Sequence, residues 1–137
     1  MALTHLLDTS ALTRIQRPAV LEAVEPLVAL GAVGRARITD LELGASARND
    51  KEWDQLMEGL KALPRVLTTT KHVERALQVQ RQLASASQRG REIPALLVAA
   101  AAEELGLTVL HYDADFDLIS QMTGQLCEWV VPKGSID

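Results

Sequence analysis

A chain of 137 residues with 47% apolar and 23% charged residues can bury one core without staples, and it reads as a single soluble domain over residues 1–137. Aromatics are only 3%, so the core should be aliphatic, and a net charge of −4 excludes a nucleic-acid binder held by bulk charge. The lone Cys127 rules out an intrachain disulfide and suits a reducing cytoplasm.

The first element is "THLLD", a short buried strand ending in Asp8. Thr9 or Ser10 then caps a helix through "ALTRIQR", which Pro18 breaks. "AVLEAVEPLVALG" carries a helical apolar period closed by Gly31, and "VGRARIT" reads as a second strand. Thr39 or Asp40 caps the next helix, and "DKEWDQLMEGLKALP" is an amphipathic helix stopped by Pro64. "RVLTT" is a third strand, and "KHVERALQVQRQLASASQRG" is a long helix ending at Gly90. "IPALLVAAAAEELG" has Pro94 in its first turn, where a missing N–H is harmless, and Gly106 as its cap. "LTVLHY" is a fourth strand, "DADFDLISQMTG" a helix and "CEWVV" a last strand.

Strands alternate with helices, the signature of a mostly parallel α/β sheet. Residues 39–106 hold one weak strand and should pack as a helical layer or protrusion. Nothing reads as a targeting segment: the first apolar run stops at Asp8, and "IPALLVAAAA", the longest, is too short to span a bilayer.

Ligands bind at the carboxyl ends of strands in open parallel sheets. Asp8 closes the first strand, Asp113 and Asp115 follow the fourth, and Glu42 falls in the first turn after the second. One acid at a helix start is ordinarily a cap with a favourable dipole contribution. Three βα junctions that each deliver a carboxylate to one edge are different. Such acids repel one another, so a stable fold needs a cation among them or raised pKa values. An all-oxygen donor set selects Mg²⁺ or Mn²⁺, and such a centre suits phosphodiester hydrolysis. His5, His72 and His111 fall at no metal-binding spacing, and His111 reads as a strand-end residue that orients Asp113.

"LLDTSAL", "ITDLELGASAR", "IPALLVAAAAEELGLTVLHYDADFDLIS" and "EWVVPKGS" together resemble the PIN-domain ribonucleases and, within them, the VapC toxins of bacterial toxin–antitoxin pairs. The resemblance implies a PIN-like α/β/α sandwich around a short, mostly parallel central sheet. It implies a Mg²⁺- or Mn²⁺-dependent endoribonuclease of tRNA or ribosomal RNA. Asp8, Glu42, Asp113 and Asp115 match the family's metal-site acids, and Ser10 matches the hydroxyl that supports the first of them. It also implies a homodimer, for which the apolar helices 19–30 and 53–63 offer surface. The implied partner is a VapB-type antitoxin whose C-terminal segment places an Arg over the acidic pocket.

Residues 71–91 carry Lys71, Arg75, Arg81, Arg89 and Arg91 against Glu74, five positive charges minus one negative, or +4. Alone this is a solvated helix face. Beside an acidic pocket that repels phosphate, Arg81, Arg89 and Arg91 are expected to hold RNA.

One position departs from the family pattern. After "IP" these toxins carry Asp, and here the residue is Ala95. Its loss is either natural or introduced, and either way metal binding and cleavage should be weakened. The alternative function is a non-catalytic PIN-like module that binds antitoxin or RNA. A sugar-nucleotide transferase built on Asp113-Ala114-Asp115 has no room for its nucleotide domain.

Overall fold

The computed structural model describes residues 2–88 and 92–137. Five strands, β1 (His5–Leu7), β2 (Val33–Ala36), β3 (Arg65–Val66), β4 (Thr108–His111) and β5 (Cys127–Trp129), form one sheet in the order β3-β2-β1-β4-β5. Every pairing is parallel. The helices between them are α1 (Thr9–Leu12), α2 (Pro18–Ala29), α3 (Arg37–Gly44), α4 (Asp50–Leu60), α5 (Thr70–Ser85), α6 (Ile93–Leu105) and α7 (Asp115–Thr123).

The strand alternation sorts the core into two layers. Leu6 and Val109 point to a cluster with Val79 and Leu83 of α5, Val98 and Ala102 of α6, and Phe116 and Ile119 of α7. Leu7 and Leu110 point the other way, to Ala11 of α1 and Val20 and Val24 of α2. This is the expected α/β/α sandwich. The run of alanines in α6 lets that helix sit close to the sheet, with Ala99, Ala101 and Ala102 all buried.

Several boundaries differ from those the sequence suggested. Asp8, not Thr9 or Ser10, caps α1, accepting the Ser10 N–H on its side chain. The helix then lasts only four residues, and residues 13–16 are turns. Strand β2 ends at Ala36 because α3 starts at Arg37, two residues before the expected cap. Thr39 and Asp40 are unavailable as caps. The Thr39 hydroxyl lies 2.9 Å from that of Thr9, and Asp40 is in a buried ion pair with Arg35 (Nε–Oδ1 2.7 Å). Arg35 also donates to the Leu63 carbonyl, which ties β2 to the approach of β3. Glu42 therefore lies one turn deeper into α3 than expected. Helix α5 stops at Ser85, and Gly90 lies outside the described residues. The terminators Gly106 (φ 68°) and Gly124 (φ 77°) adopt the left-handed conformation that ends α6 and α7.

Candidate active site

The backbone fixes the first acid before any side chain does. The Asp8 N–H donates to Leu110 O (2.9 Å), so the end of β1 is stitched to the end of β4. The chain then turns into α1, and Ser10 reaches back. Its N–H and hydroxyl both donate to Asp8 Oδ2, at 3.0 and 2.5 Å. The same hydroxyl accepts the Tyr112 N–H at 2.9 Å, which joins the loop after β4 to the cap of α1. Asp8 is only 5% exposed. Burial pushes its carboxyl above the usual range; the two Ser10 hydrogen bonds oppose this, while Glu42 and Asp113 add to it electrostatically.

Glu42 comes from α3 and is oriented by α1. The Thr9 hydroxyl donates to Glu42 Oε1 at 2.7 Å. A carboxylate can only accept, so the single Thr9 proton goes to Glu42 and Thr39 becomes the donor to Thr9. Asp113 follows β4. Its N–H donates to His111 Nδ1 (3.1 Å), and its Oδ1 accepts the Asp115 N–H (2.9 Å). His111 thus does orient Asp113, as a neutral ring whose proton lies on Nε2. Burial lowers its pKa to about 4.

These acids meet in one cavity of about 250 Å³, lined by Asp8, Thr9, Ser10, Glu42, Glu92, Pro94, Ala95 and Asp113. Three of the four expected acids line it. Asp115 stands beside it at the start of α7, where its Oδ2 accepts the Glu92 N–H at 3.2 Å. Asp117 is turned away and accepts from Trp129 Nε1 (3.0 Å). Ala95 forms a wall in the first turn of α6 at 3% exposure. The lining also includes residues that the sequence did not single out. Thr9 was visible beside Asp8, and Glu92 was visible as an acid just ahead of the helix whose first turn carries Ala95.

Arg81 is exposed on α5, while Arg89 and Arg91 lie outside the described residues. The +4 counted along residues 71–91 is reduced in space: Arg75 pairs with Glu103 (2.7 Å) and Lys71 with Glu104 (3.0 Å), both from α6. No described helix is long and apolar enough to cross a membrane.

A divalent cation can be tested against this lining. Among the described residues the donors are oxygen only, no Lys, Arg or His lines the cavity, and Asp8, Glu42 and Asp113 have no ion pair. Charge and donor type fit a hard cation. Among the described residues, no three Asp, Glu, His or Cys side chains are already gathered closely enough to hold one. Closing the ligand set therefore requires side-chain rotation, which the long glutamates permit.

An open parallel sheet with acids at its carboxyl edge defines a class, and comparison with known proteins gives that class its family. The family model of the PIN domain matches residues 5–121. The chain is 61% identical to Ribonuclease VapC51 of Mycobacterium tuberculosis over 137 residues, all of both chains. It is 41% identical to Ribonuclease VapC21 of the same species, covering 98% of this chain and 99% of that one. The chain belongs to the PIN-domain family and, within it, to the VapC group. The fold is likewise that of the DNA-bound VapBC of Salmonella typhimurium, with TM-score 0.77, 17% identity, and 94% of this chain and 99% of that one covered.

Proposed function

We propose that this protein is a metal-dependent endoribonuclease, the toxin of a toxin–antitoxin pair, with activity reduced by Ala95. The observation that carries the reading is the convergence of Asp8, Glu42 and Asp113 from three βα junctions on one cavity that no cationic side chain lines among the described residues. The ribonuclease relatives, one of them 61% identical over the whole chain, support it.

Asp8, Glu42 and Asp113 would hold Mg²⁺ or Mn²⁺. When bound, the ion supplies an activated water and neutralises charge building on the phosphate. Ser10 fixes Asp8 and favours its ionised form against the effect of burial, Thr9 turns Glu42 towards the cavity, and His111 holds the backbone on which Asp113 stands. Asp115 acts through position, tying the start of α7 to the start of α6. The substrate is structured RNA of the tRNA or ribosomal class, with Arg81, Arg89 and Arg91 contributing to its binding. The partner is a VapB-type antitoxin, and the chain works in the cytoplasm as a homodimer. Leu30 (56% exposed) just past the end of α2 and Trp53 (47%) on α4 offer apolar surface for such assembly.

One observation favours the non-catalytic module: Ala95 removes a donor from the cavity wall, and no ligand set is preassembled among the described residues. Incubation of the chain, Asp8→Asn and Ala95→Asp with total RNA and Mn²⁺ separates the two. Slow Mn²⁺-dependent cleavage that Asp8→Asn abolishes is the expected result. Cleavage by Ala95→Asp alone would make the present chain the binding module, and no cleavage by any of the three would refute the nuclease.

A further inference from the structure

We propose that Glu92 supplies the fourth carboxylate of the cavity, from the residue that caps α6, in the place left without a donor at Ala95. This rests on the metal-centre reading above and adds a residue that the family pattern does not predict.

Four observations carry it. Glu92 lines the same cavity as Asp8, Glu42, Asp113 and Ala95. It is the N-cap of α6, yet its side chain makes no capping hydrogen bond. Its carboxylate has no hydrogen bond or ion pair among the described residues, while its backbone N–H is held by Asp115 Oδ2. Asp8, buried on the opposite strand end, uses only Oδ2 for Ser10, and its Oδ1 accepts no hydrogen bond among the described residues. Within the cavity Asp8 therefore keeps one oxygen that no described side chain engages, and Glu92 adds a carboxylate with no partner among the described residues.

The chemistry of the swap is simple. An Asp at position 95 would lie in the first turn of α6, where the helix dipole favours an anion. Glu92 stands at the same helix end, one turn earlier, and is one methylene longer than Asp. Anchoring its backbone through Asp115 fixes the root of the side chain and leaves the carboxylate able to rotate. The lining then carries four acids, Asp8, Glu42, Glu92 and Asp113, with no basic side chain among the described residues to offset them. A cation relieves their mutual repulsion while leaving all of them ionised, so all four should contribute to its affinity.

The test is Mn²⁺ titration calorimetry, with metal-induced shift in melting temperature as a second measure. The proteins are the present chain, Glu92→Gln, Asp8→Asn, Ala95→Asp and the Glu92→Gln/Ala95→Asp double variant. Glu92→Gln keeps the side-chain shape and removes no cap, so its metal-free melting temperature should stay equal or rise. Its Mn²⁺ affinity should fall about tenfold or more. Asp8→Asn should lose binding as well. In the Ala95→Asp background, removal of Glu92 should have a much smaller effect, because the position it stands in for is refilled.

Loss with Asp8→Asn but not with Glu92→Gln would overturn the role of Glu92 while leaving the metal centre intact. Equal loss from Glu92→Gln in both backgrounds would also overturn it, since that marks general charge rather than replacement. Binding by Ala95→Asp but not by the present chain would show that Glu92 does not substitute. Failure of Asp8→Asn to weaken Mn²⁺ would sink the metal-centre reading itself.

Discussion

The Ser10 hydroxyl donates to Asp8 Oδ2 at 2.5 Å, and its oxygen accepts the Tyr112 N–H at 2.9 Å. One small side chain therefore satisfies a buried carboxylate and closes the gap between β1 and β4. Ser10→Ala leaves the Tyr112 N–H without this acceptor and removes the shorter of two hydrogen bonds to Asp8. The expected loss is about 1–3 kcal/mol in urea unfolding. Ser10→Thr should restore most of it. An unchanged midpoint in Ser10→Ala would mean that water replaces the hydroxyl at no cost.

Two glycines should respond oppositely to the same substitution. A Cβ on Gly34 in β2 would meet Leu3 Cδ1 and the Pro64 carbonyl oxygen, each at 2.9 Å. The carbonyl belongs to the backbone that pairs β2 with β3, so it yields only by distorting the sheet. Gly34→Ala should destabilise by roughly 1–3 kcal/mol. A Cβ on Gly59 in α4 meets nothing within 4 Å. Gly59→Ala should stabilise by about 0.5–1 kcal/mol through helix propensity alone. Paired thermal melts check both signs.

Much of this architecture is legible because Gly and Pro punctuate it. Gly31, Pro64, Pro94, Gly106 and Gly124 each stand where an element begins or ends, and the apolar period between them names its type. Placement of Asp8 and Asp113 at strand ends follows from the same pattern. What the sequence hides is chemistry that crosses long spans. Thr39 and Asp40 have the composition of caps, but Thr9 and Arg35 claim their side chains from other elements. The basic character of residues 71–91 is read along one helix, whereas Glu103 and Glu104 approach from its neighbour. Glu92 carries no motif that singles it out in the sequence, and its place in the cavity wall is visible only once the chain is folded.

His111 should make stability depend on pH. Its ring is fully buried, Nδ1 accepts the Asp113 N–H, and Nε2 has no hydrogen-bond partner in the described structure. Its folded pKa is about 4 against an ordinary 6.5. Between those values the unfolded chain binds the extra proton, so the stabilisation is complete above pH 6.5 and drains away as pH falls towards 4. The full difference of 6.5 − 4 = 2.5 units is worth about 3 kcal/mol. Asp8 works in the opposite sense, because an acid with a raised folded pKa gains stability as pH falls. His111→Asn separates the two: its amide oxygen can still accept from Asp113 but does not titrate. Urea unfolding at pH 7.5 and 5 should show a smaller loss in the variant. Equal losses would assign the dependence to other groups.

Cys127 offers a chemical check on the sheet. Burial, with help from Asp117 and Asp8, pushes its thiol pKa up to about 12. The thiolate is the nucleophile, so iodoacetamide at pH 8 should modify the folded chain far more slowly than the chain in urea. Rapid labelling of the folded chain would mean that β5 detaches from β4 often enough to expose it.

The last prediction concerns how RNA is held. Arg81 lies exposed on α5 with no ion pair among the described residues, whereas Lys71 is paired with Glu104 and Arg75 with Glu103. A cation already paired with a carboxylate must break that contact before it can bind a phosphate, so the three positions should differ. Each phosphate contact releases condensed counterions and steepens the salt dependence of binding by about 0.7–0.9 in log–log slope. Arg81→Gln should lower that slope by about this amount and weaken binding most at low salt, while Lys71→Gln should leave the slope nearly unchanged. Joint charge reversal of Arg81, Arg89 and Arg91 should lower it further. The measurement is fluorescence anisotropy with a labelled tRNA, performed in an Asp8→Asn background so that no cleavage intervenes, with circular dichroism confirming the fold. If Lys71→Gln flattens the slope and Arg81→Gln does not, RNA competes with α6 for the start of α5 and bypasses the far end of that helix.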